Sequence, residues 1–268
     1  MDKLDIFVTR TIDSGVKPIE LGCTPIYDCL FSGNVGLYGA VKVNSVLYGS
    51  LDAGDYMPAL EEDRESAAAF TARNLRVVLA GLARLPSQVH DLSLVTLPCP
   101  VSLVKKGALA PELTRLLRAA EPRCAEQVCL VFDRALLALH RKTLQDLLLH
   151  VRSLGCKVAV SGYGSEDFPM SVLPYAAPDL LIMEKAKGQR SFPKGMAAYV
   201  RFAGGLRIRV LARGVESGQE LKQLNDAECA YYTPLPGLRL SGQSMYYEKE
   251  WKEVLSERGV TSLADPKK

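Results

Sequence analysis

The sequence predicts one α/β domain folded as a closed (β/α)8 barrel, on three observations. Short apolar runs rich in Val, Ile and Leu alternate with amphipathic helical segments, the order that parallel βαβ units produce. CKVAV (156–160) is apolar and β-branched, as expected of a strand covered on both faces. The chain has 268 residues, 48% of them hydrophobic, which fits one barrel of about 250 residues with short extensions.

Extended stretches near 20–29 and 35–48 come first. RESAAAFTARNLRVVLAGLARL (64–85) reads as a helix with Leu75, Val78, Leu79, Leu82 and Leu85 on one stripe. LSLVTL (92–97) is a strand, APELTRLLRAA (110–120) a helix with Pro111 in its first turn, and VCLVF (128–132) a strand. TLQDLLLHVRSLG (143–155) is a helix with Leu144, Leu147, Leu148, Val151 and Leu154 inward and Gly155 as its stop. KVAV (157–160) and DLLIME (179–184) are strands, GMAAYVRFAGG (195–205) a helix and RIRVLARGV (207–215) a strand. SGQELKQL (217–224) opens with Ser217 and Glu220, an S-x-x-E capping box in which each side chain satisfies an orphan backbone N–H. CAYYTPL (229–235) completes a set of about eight strands. No linker rich in Pro, Gly or Ser divides the chain. The expected organisation is an N-terminal segment (1–20), one barrel domain (21–242), and a short C-terminal helical extension carrying Trp251 with a disordered end (243–268).

Composition excludes several classes. The formal net charge is +3 with no dense Lys/Arg run, so nucleic acid is not expected as a partner. MDKLDIFVTRTIDSG at the start lacks the basic and apolar blocks of a signal peptide. No uninterrupted apolar run is long enough to span a membrane. Seven cysteines, an odd number without a C-x-x-C, read as buried reduced thiols of a cytoplasmic protein. His90, His140 and His150 are scattered, and His150 has no His or Cys partner at ligand spacing; no metal is expected, and no cofactor. GYGSED (162–167) lacks the spacing of a phosphate-binding loop and reads as a strand-to-helix turn.

A colinear series of motifs carries more information. It runs TPIYD (24–28), YGAVKV (38–43), YMPALEE (56–62), LVTLP (94–98), LVFDRAL (130–136), AVSGYGSE (159–166), DLLIME (179–184) and LARGVES (211–217). The series resembles the EAL domain family, the bacterial phosphodiesterase fold for the second messenger cyclic di-GMP. The family's counterparts are Q-P-I-x-D, F-E-A-L-x-R, F-I-P-x-A-E-E, V-N-L-S, E-I-T-E-S-A-L, A-L-D-D-F-G-T-G, D-x-L-K-I-D and V-A-E-G-V-E-T. LARGVES matches best. The resemblance implies a TIM-like barrel of the EAL type and, in the family, a two-metal site fed by carboxylates at strand ends.

Nearly every such position is changed here. In that alignment Gly39 stands for the Glu of the name motif, Thr96 for the Asn of V-N-L-S and Leu130 for the fourth-strand metal-binding Glu. Ser161 and Gly162 stand for the Asp pair, Ile182 and Glu184 for the Lys and Asp of K-I-D, and Arg213 for the first Glu of E-G-V-E. Val43 replaces the Arg that meets the dinucleotide phosphate, and the final Q-G motif has no counterpart near Tyr231 to Pro234. Asp133 and Glu216 keep an acid. Mg²⁺ and Mn²⁺ need several oxygen ligands, preferably anionic, and two such ions close together need bridging carboxylates. An added guanidinium works against them: two like unit charges 4 Å apart repel by about 4 kcal/mol at an effective dielectric of 20, and a divalent ion doubles that.

The candidate site residues are therefore Asp133, Glu184, Lys185, Arg213 and Glu216. Three readings of them stay open. Arg213 pairs with Glu184 or Glu216 and neutralises the vacated pocket; or Arg213 and Lys185, helped by Lys187 and Arg190, bind an anion; or new hydrolytic chemistry has arisen, although no His or Cys lies near these strand ends and no Ser has an evident base. The expected function is that of a catalytically inactive EAL-like regulatory module that binds another protein. The alternatives are a non-hydrolysing cyclic di-GMP receptor and an enzyme or sensor for another anionic ligand. In the family the turn matched by Tyr163 and Gly164 leads into a segment coupling metal binding to dimerisation. By resemblance, a homodimer is expected through residues 163–176 and 186–200. EKEWKEVL (248–255) is expected to pack back on the barrel through Trp251 and Leu255.

Overall fold

Eight strands close into a ring in the computed structural model, which describes residues 19–30, 34–45, 49–84, 92–185 and 191–234. The strands are β1 (Ile19–Asp28), β2 (Asn34–Ser45), β3 (Gly49–Leu51), β4 (Leu94–Pro98), β5 (Val104–Lys105), β6 (Ala108–Leu109), β7 (Val128–Phe132), β8 (Lys157–Val160), β9 (Leu180–Glu184), β10 (Arg209–Val215) and β11 (Tyr231–Pro234). Around the ring the order is β1-β11-β10-β9-β8-β7-β4-β2, and β2 pairs back onto β1. Short β3 edges β2, and β5 and β6 form a separate hairpin. The helices are α1 (Ala53–Glu62), α2 (Arg64–Ala83), α3 (Pro111–Ala119), α4 (Pro122–Gln127), α5 (Arg141–Ser153), α6 (Leu173–Ala176), α7 (Met196–Gly205) and α8 (Gly218–Asp226). No helix among the described residues is long and apolar enough to cross a membrane.

The sequence pattern predicts parallel strands, and β1 departs from it. It runs antiparallel to both β2 and β11, while the other neighbours around the ring are parallel. Residues 29–33 alone join β1 to β2. A parallel crossover needs a dozen or more residues, so a hairpin is the connection that fits.

Side-chain alternation sorts the apolar residues into two cores. Ile26, Tyr38, Val131, Ala159, Ile182 and Leu211 fill the barrel interior. Leu97, Leu130, Phe132, Leu181 and Met183 face the other way, onto the helices, where Leu144, Leu147, Leu148 and Val151 of α5 meet them. Fully burying one such side chain contributes about 1.5–3 kcal/mol.

Element ends differ from the sequence reading by a few residues, for local reasons. Helix α5 starts at Arg141 because His140 caps it, Nδ1 accepting the Lys142 N–H at 3.4 Å. β10 starts at Arg209 because Arg207 has φ +59°, outside any strand. Helix α2 is capped by Asp63, whose carboxylate accepts from the N–H groups of Glu65 and Ser66. Residues 1–18 and the Trp251 segment lie outside the described residues.

Candidate functional site

The carboxyl ends of the parallel strands gather at one mouth of the barrel, where α/β barrels place their functional groups. Continuing the alternation of the interior core upward brings Tyr38, Thr96, Ser161, Glu184, Arg213 and Thr233 to that mouth.

β9 and β10 pair in register with Arg213 beside Glu184. Same-face neighbours on adjacent strands lie within side-chain reach. Arg213 Nη1 donates to Glu184 Oε1 at 3.0 Å, and the guanidinium carbon stands 4.6 Å from the centroid of the Tyr38 ring. Burial, chiefly, pushes the Tyr38 phenol up to about 12, so near neutral pH it offers Arg213 an aromatic face and no charge. Arg213 is held above the usual arginine value, with Tyr38 the largest influence, burial opposing it, and Glu184 adding to it. Because Tyr38 is uncharged near neutrality, the directly bonded carboxylate of Glu184 is the main counter-charge of Arg213 there, with Asp52 adding a smaller pull.

One residue along β9, Lys185 turns toward α8. Its Nζ lies 2.9 Å from Glu216 Oε1 and 2.9 Å from Glu220 Oε1, and 5.3 Å from the centroid of the Phe192 ring. Its side chain is 9% exposed, so this ammonium is nearly buried between two carboxylates. The capping box forms in altered shape. Ser217 Oγ accepts the Glu220 N–H at 3.2 Å as predicted, but the Glu220 carboxylate accepts the N–H of Glu216, at 2.8 Å, where the motif calls for that of Ser217. The same carboxylate also holds Lys185. Between the two ion-paired groups β10 bulges at Gly214, whose φ of +82° suits glycine and whose N–H donates to Thr233 Oγ1 at 3.1 Å.

The hydroxyls at the mouth are engaged with backbone. Thr96 Oγ1 accepts the Gly39 N–H at 3.0 Å, and Ser161 Oγ donates to the Phe132 carbonyl at 3.3 Å. Asp133 stands apart from both ion-paired groups: it is exposed and caps a 310 turn, accepting the Ala135 N–H at 2.9 Å. Its neighbour Arg134 pairs with Asp167 and donates to Ser165 Oγ at 3.1 Å. Of the pairings left open by the sequence, Arg213–Glu184 is the one formed, and Glu216 goes to Lys185 instead. Lys187 and Arg190 lie outside the described residues. Among the described residues no three His, Cys, Asp or Glu side chains converge as a metal-holding group.

Two motif positions need correcting. The alignment set Leu130 and Gly39 at inward ligand positions. Leu130 faces the helices, and Val131 is the interior residue. Tyr38 likewise is interior, while Leu37, Val41 and Val43 pack outside. A Cβ at Gly39 would overlap the backbone carbonyl oxygen of Thr96. A one-residue slip moves a strand residue to the opposite face, which is how a motif match can misplace a ligand. Tyr38 is the site residue that the sequence reading did not single out, and Glu220 was read there as a cap and not as a partner of Lys185. The signal for Glu220 was its place one helical turn beyond Glu216.

A closed barrel with an ion-paired site at its strand ends is the class that these features define. The family model of the EAL domain matches residues 19–233, and the chain belongs to the EAL domain family. Among solved structures, the chain is similar to the PaMucR phosphodiesterase in its c-di-GMP complex, with TM-score 0.68 and 13% identity over 87% of this chain and 93% of that one. It is similar to an EAL domain protein of Listeria monocytogenes, with TM-score 0.60 and 16% identity over 81% of this chain and 86% of that one. It is also similar to Bacillus subtilis YkuI in complex with c-di-GMP and calcium, with TM-score 0.64 and 16% identity over 87% of this chain and 55% of that one. At such identities the likeness shows the fold. No curated protein sequence matches the chain.

Proposed function

We propose that this chain is a regulatory EAL domain that does not hydrolyse cyclic di-GMP and acts in the cytoplasm by binding another protein. One observation carries the reading: Glu184 is already paired with Arg213, and Glu216, with Glu220 of α8, is paired with Lys185, while Asp133 is turned away to cap a turn. A two-cation centre needs several anionic oxygens free to ligate. At this mouth the inward-facing carboxylate of Glu184 has a permanent guanidinium 3.0 Å from it. The donor set does not fit two divalent ions. In a barrel the residues that hold the fold and those that do chemistry are different sets, so the scaffold persists without the reaction.

Cyclic di-GMP and its linear product incubated with the protein and Mg²⁺ or Mn²⁺ are expected to show no turnover above the protein-free blank. Turnover abolished by a chelator would overturn the proposal. Calorimetric titration of cyclic di-GMP in chelator is expected to give no binding heat; a saturable isotherm would favour the receptor reading over the protein-binding one.

The proposed unit is residues 21–242, with a homodimer through 163–176 and 191–200, the described part of 186–200. Tyr163 anchors the first segment, its hydroxyl donating to the Tyr199 carbonyl at 2.7 Å and its ring meeting Phe168 edge-on at 5.2 Å. Val172 is buried, whereas Met170 is half-buried at the surface of the core, so Met170 is the cleaner probe. Met170→Glu is expected to shift sedimentation from dimer to monomer. An unchanged sedimentation coefficient rules this interface out.

A further inference from the structure

We propose that Cys29 and Cys229 are a disulfide-forming pair that staples the seam where the first and last strands of the barrel meet. All seven cysteines are buried and free. These two lie just past the paired ends of the neighbouring strands β1 and β11. β1 and β11 pair antiparallel through Tyr27–Tyr232 and Asp28–Tyr231, and the ladder runs one step further as the Cys29 N–H donates to the Ala230 carbonyl at 3.1 Å. Cys229 is the next residue. Residues opposite each other on antiparallel strands stand about 5 Å apart and one step along adds about 3.4 Å, which sets the two Cα atoms about 6 Å apart. Disulfides span that distance. Both side chains belong to the core outside the barrel, and each thiol is the leading influence on the other. The contrast is Cys129 and Cys156. They too sit on adjoining strands, but Cys129 faces the barrel interior and Cys156 the outer core.

The pair is polarised. Cys229 is held below the usual thiol value, first by the Cys29 S–H, with burial opposing and the backbone N–H groups of Tyr231, Ala212 and Ala230 adding to it, while Cys29 is pushed up. The disulfide formed is the same whichever thiol reacts first; the route that starts at Cys229 has two steps. With hydrogen peroxide as oxidant, the Cys229 thiolate attacks one oxygen, the O–O bond breaks, hydroxide leaves and a sulfenic acid forms. The Cys29 sulfur then attacks the Cys229 sulfur, the S–O bond breaks, and hydroxide leaves with the Cys29 proton as water. Two thiols are oxidised as one peroxide is reduced to water. The thiols are 1% and 2% exposed, and Leu30, the residue after Cys29, is 67% exposed. The seam thus ends at Cys29, and fraying of that last rung admits the peroxide.

Full-length protein treated with hydrogen peroxide, alkylated, digested without reductant and analysed by mass spectrometry tests this. The expected product is a peptide pair joined through Cys29 and Cys229 that separates on reduction. The expected Tm rise is about 5 °C or more, because the linkage constrains a long loop of the unfolded chain. Cys129→Ser is expected to keep both effects and Cys29→Ser to lose both. Should Cys29→Ser fail to fold, the wild-type peptide map decides alone. Folded, peroxide-treated wild type with no Cys29–Cys229 peptide, or with either residue linked elsewhere, overturns the proposal. The outcome is independent of whether the barrel hydrolyses or binds cyclic di-GMP.

Discussion

Gly39→Glu, which writes the acid of the family's name motif back into the chain, is expected to unfold the barrel and restore no ligand. Position 39 lies where β2 runs beside β4, with Tyr38 opposite Thr96. Any Cβ there overlaps the Thr96 carbonyl oxygen, a backbone atom that cannot rotate away. The two strands must separate, and the Gly39 N–H then loses Thr96 Oγ1, its partner at 3.0 Å. Overpacking of this kind costs about 1–3 kcal/mol, and a carboxylate forced among buried side chains adds several more. Against a net stability of about 5–15 kcal/mol, the sum removes most of it. Urea unfolding measures the effect. Gly39→Ala isolates the steric part and is expected to lower stability by about 1–3 kcal/mol. A wild-type midpoint for Gly39→Glu would mean that β2 does not approach β4 as described.

Lys185→Met is expected to produce the second large loss. The ammonium sits between Glu216 and Glu220 at 2.9 Å from each, with side-chain exposures of 9%, 37% and 17%. Removing it leaves two partly buried carboxylates facing each other. Breaking a fully buried pair by deleting one partner costs about 3–5 kcal/mol. Glu216 is more than one-third exposed, and solvent screening lowers the expectation to about 2–4 kcal/mol. The double variant Lys185→Met with Glu216→Gln is expected to recover a good part, because it removes one of the two repelling charges. A double variant as unstable as the sum of the singles would show that packing against Phe192, and not charge, holds this corner.

Much of this was legible in the sequence. The alternation of strands and helices, the stripe of α5 and the capping residue Ser217 follow from periodicity and turn chemistry, and the structure has them. Arg213 and Glu184 close their strands' inward faces, so their pairing followed once β9 and β10 were neighbours. The direction of β1 was also written in the sequence, in the short 29–33 connection, but apolar composition alone says nothing about strand direction. What composition could not supply was the face of a residue. YGAVKV matches its motif in so few letters that the alignment fixes the segment and leaves the pleat open by one residue. That slip set Gly39 where Tyr38 points, and Leu130 where Val131 points. Glu220 was readable as a cap; its grip on Lys185 depends on the Gly214 bulge and the placement of α8, which only tertiary packing sets.

Whether this mouth accepts paired divalent cations separates a silent barrel from a working phosphodiesterase. Calorimetric titration of Mn²⁺ into the full-length protein, with cyclic di-GMP present, asks that directly. The predicted result is heat no larger than that of dilution. A saturable isotherm at two Mn²⁺ per chain would contradict it.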